Sequence, residues 1–350
     1  MVNEARAREL LGAPRGRRIC AEVALAAVES LRPLLSIAEM DEEVAKQFGR
    51  SPTAEADLLD ALATFPLETL GHLGELDLLL ALSETTASGM YWQEPDDRDE
   101  LLARPAVKDL LLPIAMALLD NHLTDSWASG VSDDQAFLFW RIREYPPQLK
   151  LTDIRSGVQL WQKRVIRQET ESAAINRRHG RSWSGEWWSI PNPSGAPSTT
   201  GVTPEGTLGL WLVEDSAHED EANVQELEIL RSARVFEVTG ADSWADLAAR
   251  YPLVVTESKR NVWRQATGHK GPWLIPDWSA VADDYDAVHV SLWGHLVTAG
   301  MPIPVPGTES YTMLAGWTPD ETYWFSDVLG PKGDIQLWER SDDEIWTRAS

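Results

Sequence analysis

Tryptophan is absent from the first ninety residues of this chain and crowds its second half. Of 17 tryptophans in 350 residues, four lie in 91–180 and 13 in 181–350. The first half instead repeats Leu and Ala at helical spacing, as in Ile19, Val23, Ala26, Ala27 and Leu31. An indole is bulky and carries one N–H that needs a partner when buried. A chain that changes so sharply from small aliphatic to large aromatic residues builds two kinds of structure. The expected fold class is α+β, with an all-α helical domain over 1–175 and a Trp-rich mixed α+β domain over 176–350. Within the latter, 176–209 is rich in Gly, Pro, Ser and Thr and reads as a long irregular connection.

Local signals fill in that outline. Helices are expected over Arg18–Leu31, from a start at Ser51-Pro52, after the acidic cap Asp97–Glu100, and over the apolar run Val107–Asn121. A last one runs from Thr152 to about Ile175, with basic residues over 163–181 that read as a solvated face. Pro193–Gly206 reads as a mobile loop. Beyond it, strands are expected at Leu208–Val213, Arg234–Thr239, Leu253–Thr256 and Ala287–Ser291, with helices from Asp242-Ser243 and over Ser279–Asp284. Thr312–Ala315 and Thr322–Phe325 read as a closing strand pair.

Charge and cysteine count narrow the functions. The net charge of −24 is spread along the chain, −9 over 1–180 and −15 over 181–350, and such a field repels phosphate backbones. Duplex nucleic acid is therefore not an expected partner. Cys20 is the single cysteine, which excludes intramolecular disulfides and Cys-based zinc sites and suits a reducing, cytoplasmic setting. The longest apolar stretch, Leu110–Leu119, is half of what a bilayer span needs, so no membrane association is expected.

No motif names a reaction. G-x-x-x-x-G-K-[ST], G-x-G-x-x-G, G-x-S-x-G and H-E-x-x-H are all missing. The acidic run Glu214-Asp215 with His218–Glu221 reads as a surface loop, and no metal site is expected.

Several constellations carry chemistry. Trp187-Trp188-Ser189 would, in a strand, send its two indoles to opposite faces, one into the core and one into a cleft, unless both pack at a junction. His289, in Tyr285-Asp286-Ala287-Val288-His289-Val290, sits on a strand facing either a cleft or a buried hydrogen bond. Glu321, flanked by aromatics at a strand start, is either a partly desolvated carboxylate or a turn residue. Arg260 with Trp263 and Arg264 offers a positive group to an anionic ligand, or packs on an indole.

The run Gly185–Pro191, Val213–Ser216, Asp277-Trp278 with Tyr285–His289, and Ala315–Trp317 resembles a group of actinobacterial proteins to which no activity is attached. Tyr285–Val288 with the later Glu321 also resembles ADP-ribosyltransferase-like domains. That resemblance implies NAD as cofactor. Trp188 would stack on nicotinamide beside Trp187 and Tyr285, and Glu321 would hold a ribose hydroxyl. Ser189 would lie on the middle strand. His179-Gly180 would stand at the first strand, although Arg181 replaces the usual Thr.

Two functions follow as expectations. The first is a non-catalytic interaction protein whose acidic surface and tryptophan cleft bind a protein or peptide partner. The second is an ADP-ribosyltransferase-like domain, active or degenerate, with Glu321, His289 and Ser189 as catalytic candidates and Trp187, Trp188, Tyr285, His179 and Arg260 at the cofactor.

Overall fold

A computed structural model describes residues 2–38, 54–140, 153–179, 186–191, 196–214 and 220–349. Before the first strand, the described residues form α1 (Val2–Gly12), α2 (Pro14–Ala27), α3 (Leu31–Ala38), α4 (Ala54–Ala63), α5 (Glu75–Ala87), α6 (Asp97–Ala103) and α7 (Pro105–Leu119). α2 starts on Pro14, whose fixed φ and missing N–H suit a first helical turn. Asp96 caps α6 by accepting from the Asp99 amide. At the α1–α2 corner, a Cβ on Gly16 would come within 1.8 Å of the Leu10 carbonyl oxygen, so only glycine lets these helices close. Cys20, fully buried on α2, has its thiol pushed up by burial into the unreactive range. The Ser51-Pro52 start lies outside the described residues. No described helix is long and apolar enough to cross a membrane.

One correction falls inside the stretch expected to be all helix. Asp134–Trp140 is a strand, β1, and it occupies the middle of a ten-stranded sheet. The remaining strands of that sheet are β2 (Ser198–Thr203), β3 (Gly206–Thr207), β4 (Glu221–Ile229), β5 (Val235–Val238), β8 (Ala287–Val290), β11 (Glu321–Trp324), β12 (Leu329–Pro331), β13 (Gln336–Arg340) and β14 (Trp346–Arg348). Their order is β14-β13-β4-β1-β2-β11-β8-β5, with β12 also on β4 and β3 on β2. Every pair is antiparallel except β5–β8. β6 (Pro252–Val254) pairs β7 (Leu274–Pro276), and β9 (Ile303–Pro304) pairs β10 (Tyr311–Thr312).

Four further corrections concern the second half. Leu208–Trp211 is a single helical turn, α9, which follows α8 (Ile154–His179) in chain order, and not a strand. Within the expected mobile loop, Ser198–Thr203 is a central strand, because its threonines find partners on both neighbours. That strand also interrupts the expected irregular connection of 176–209. Thr312 and Thr322 do not pair; their strands join β9 and the β2/β8 pair respectively, since the Gly316–Asp320 turn carries the chain from one sheet to another. The later helices are α10 (Ala241–Arg250), α11 (Thr256–Thr267), α12 (Trp278–Asp284) and α13 (Leu292–Thr298), with the Leu208–Trp211 turn counted as α9.

Most tryptophans are core. Trp244, Trp263, Trp273, Trp278, Trp317 and Trp324 are fully buried. Trp244, Trp278 and Trp317 form a mutual cluster with centroid separations of 5.7–6.0 Å. Their N–H groups mostly reach built-in acceptors, as Trp244 does at Thr312 Oγ1 (3.1 Å) and Trp324 at Thr199 Oγ1 (2.8 Å). One face of the sheet, through Ala136, Ala222, Val224 and Trp346, joins the apolar core of α1–α7. The mixed α+β fold thus holds its helices and sheet around shared apolar side chains.

Candidate functional site

Residues 186–191 run extended between α11 and the 313–317 stretch, held almost entirely by their main chain. Lys259 and Trp263, one turn apart on α11, donate to the carbonyls of Glu186 (3.3 Å) and Trp187 (2.8 Å). Burial lowers the Lys259 amine to about 8, against the opposing pull of Glu186 and Glu169. Ser189 is fully buried, and its amide and Oγ both donate to the Ala315 carbonyl while the Ala315 amide donates to Oγ. Trp278 Nε1 donates to the Ser189 carbonyl at 3.1 Å. The Ser189 hydroxyl is therefore a main-chain clamp.

That clamp presents two indoles. Trp188 is 41% exposed and Trp187 half-buried. Trp187 lies 4.8 Å from Trp92, 5.4 Å from Trp188 and 6.1 Å from Tyr91, centroid to centroid, which makes a continuous aromatic row. Gly316, at φ 83°, backs Trp188 so closely that a Cβ there would sit 2.5 Å from the indole Cδ1.

Behind Gly316 lies a buried acid cluster in which sequence reasoning marked Glu321 but read Glu214 as part of a surface loop. The Gly316 amide donates to Glu214, whose side chain is only 7% exposed and whose Oε1 is 3.4 Å from His295 Nε2. Burial first, then the Glu321 charge, pushes Glu214 well above the usual carboxyl range. Glu321 accepts from the Thr318 amide (2.9 Å) and interacts with Ser198 and Tyr323, yet burial raises it to about 7. His295 is held down to about 3 by burial and then by the Arg15 charge, so its imidazole is neutral. Tyr91 faces Glu214 from the aromatic row, and burial raises its hydroxyl well above the ordinary value. Among the described residues, Glu214 Oε2, His295 Nδ1 and Thr298 Oγ1 find no hydrogen-bond partner. The cluster can store a proton, but it is shut from solvent.

Tyr91 and Arg15 separate this cluster from a cleft of about 330 Å³. Its apolar lining comes from Met90, Pro95, Ala103, Met301 and Pro302. Arg15 is buried against Asp99 and the Thr85 carbonyl (3.0 Å), and Arg18 pairs with Asp96 at 2.5 Å. Glu94 and Glu100, by contrast, line the same cleft exposed to solvent. The sequence did carry a signal here, in Arg15-Gly16-Arg17-Arg18 and the acidic 94–100 run.

The other named residues lie elsewhere. His289 and Glu321 are on adjacent strands, but the register opposes His289 to Thr322 and Glu321 to Val290, so their side chains leave opposite faces. His289 is 1% exposed and gripped by Glu237 (2.5 Å) and Asp320 (3.2 Å). Burial alone would depress its pKa, but these two hydrogen bonds and charges raise it to about 9. Both nitrogens are committed, so it is a structural cation. Tyr285 packs edge-on against Phe236 at 5.3 Å, and Arg260 pairs with Glu257 at 3.4 Å. His179 ends α8, and its side chain lies outside the described residues. On α8, Glu169 turns inward and accepts from the Glu257 and Ser258 amides, capping α11. Trp187, Trp188 and Glu321 are thus brought to the two sides of the 315–318 stretch, while His289, Tyr285 and Arg260 are not.

No family model, no curated protein and no solved structure matches this chain.

Proposed function

We propose that this is a non-catalytic, cytoplasmic interaction protein whose tryptophan row and adjoining cleft receive a segment of a partner protein. The observation that carries this reading is Trp188, a large indole left 41% exposed on a segment whose carbonyls and amides are otherwise fixed. A rigid aromatic loses little freedom on binding, and such residues dominate interface energetics. The acid cluster favours the same reading, because its carboxyls are buried and the Ser189 hydroxyl is bonded to main chain. A display library of random short peptides, selected against the protein, tests it. Enriched peptides should bind Trp188→Ala about tenfold more weakly, the loss of roughly one interface hot spot. No enrichment, or binding indifferent to Trp188→Ala, would refute the proposal.

One observation favours a second reading, an ADP-ribosyltransferase-like domain that binds NAD. Trp188 and Glu321 flank the same short stretch, and on this reading ligand binding must uncover the buried Glu321 carboxyl before it can hold a ribose hydroxyl. On that reading NAD titration gives saturable binding and slow nicotinamide release, both lost in Glu321→Gln. Absence of binding disposes of it.

A further inference from the structure

We infer that the segment received by the cleft is basic, with lysine or arginine placed next to an apolar anchor. This deepens the partner-binding reading and rests on it. The cleft divides into two chemistries. Part of its lining, with Met90, Met301 and Pro302, is apolar, and thioether side chains adapt to varied apolar shapes. Its charged lining divides again by what is already partnered. Asp99 is taken by Arg15, and Asp96 by Arg18. Arg17 keeps its charge, but its guanidinium is turned to the Leu11 and Gly12 carbonyls, at 3.2 and 3.1 Å. Glu94 and Glu100 line the cleft exposed to solvent.

Apolar lining beside exposed carboxylates suits an apolar anchor with a cation next to it. The whole molecule works in the same direction. At a net charge of −24 its field attracts basic segments and speeds their arrival, and this attraction weakens with salt. An acidic segment would meet Glu94 and Glu100 as like charges at short range, and a purely polar one would leave Met90 and Met301 uncovered.

The same peptide display provides the test. Enriched sequences should carry net positive charge with at least one large apolar residue. Their affinity should fall with added salt, and by about fivefold in the Glu94→Gln/Glu100→Gln double variant, as for two rim ion pairs. Both substitutions are at exposed positions, so the fold is not at stake. Enrichment of neutral or acidic peptides, or equal binding by the double variant, would overturn the inference while leaving the partner-binding reading intact. An oligolysine that binds as well as the enriched peptides would also overturn it, since the anchor would then contribute nothing. No enrichment of any peptide would overturn both.

Discussion

The charge on His289 belongs to a pair of carboxylates. Glu237 reaches it from β5 and also accepts from the Val131 amide at 3.0 Å; Asp320 reaches it from the turn before β11 and accepts from the Gly201 amide at 2.9 Å. One imidazolium thereby ties two loops to the sheet. Its folded pKa, about 9, lies above the ordinary 6.5, so the folded state holds the proton more tightly than the unfolded one. The resulting stability is fully present below 6.5 and is lost as pH rises through about 9, a change on the order of 3 kcal/mol. In His289→Gln, denaturant midpoints should be lower than native at acidic to neutral pH and should no longer fall across that window. A midpoint with the native pH slope would place the titrating group elsewhere. The sequence marked both His289 and Glu321 by their strand positions. It did not reveal that a register offset of one residue sends them to opposite faces, because the register is decided by pairing between separate segments, Glu321 opposite Val290, and not by local sequence. Glu214 was hidden for a related reason. An acidic run looks like a surface, and only the fold turns its first member inward.

At the scale of elements, the segment 186–191 shows how an exposed indole can be positioned without a strand of its own. Its bonds come from α11, α12 and the 315 position, and Gly316 supplies the backing. Gly316→Ala places a side chain at φ 83° and drives a Cβ into Trp188, so we expect a loss of about 2 kcal/mol and faster hydrogen exchange at the amide of Ser189. Unchanged exchange there would show that the indole moves independently of its clamp. Most helices were legible because their apolar spacing is strong, as in Pro105–Leu119. β1 was not. Its residues Asp134–Trp140 lack simple alternation, since the strand is covered on both faces, Phe137 on one and Leu138 and Trp140 on the other.

For the whole molecule, the placement of β1 matters most. It pairs with β2 on one side and over seven residues with β4 on the other, so the sheet of the second half is divided without it. A fragment beginning at 176 should therefore fail to fold alone, giving no cooperative thermal transition by circular dichroism. Adding the 1–175 fragment in trans should restore one. A fragment that melts cooperatively by itself would show that β2 and β4 can close on each other. The change from aliphatic to aromatic composition was legible as a change of layer, helices against sheet. The crossing of the chain between those layers was not, because seven residues barely move a composition.

The same strand sets a timetable. During synthesis, Phe137, Leu138, Phe139 and Trp140 emerge long before β2 at Ser198 and β4 at Glu221, the strands that flank them among the described residues. At about 5–20 residues per second, that interval lasts several seconds. Through it, an apolar strand with two open edges waits at the ribosome, so the nascent chain has a built-in demand for a chaperone that the finished protein no longer shows.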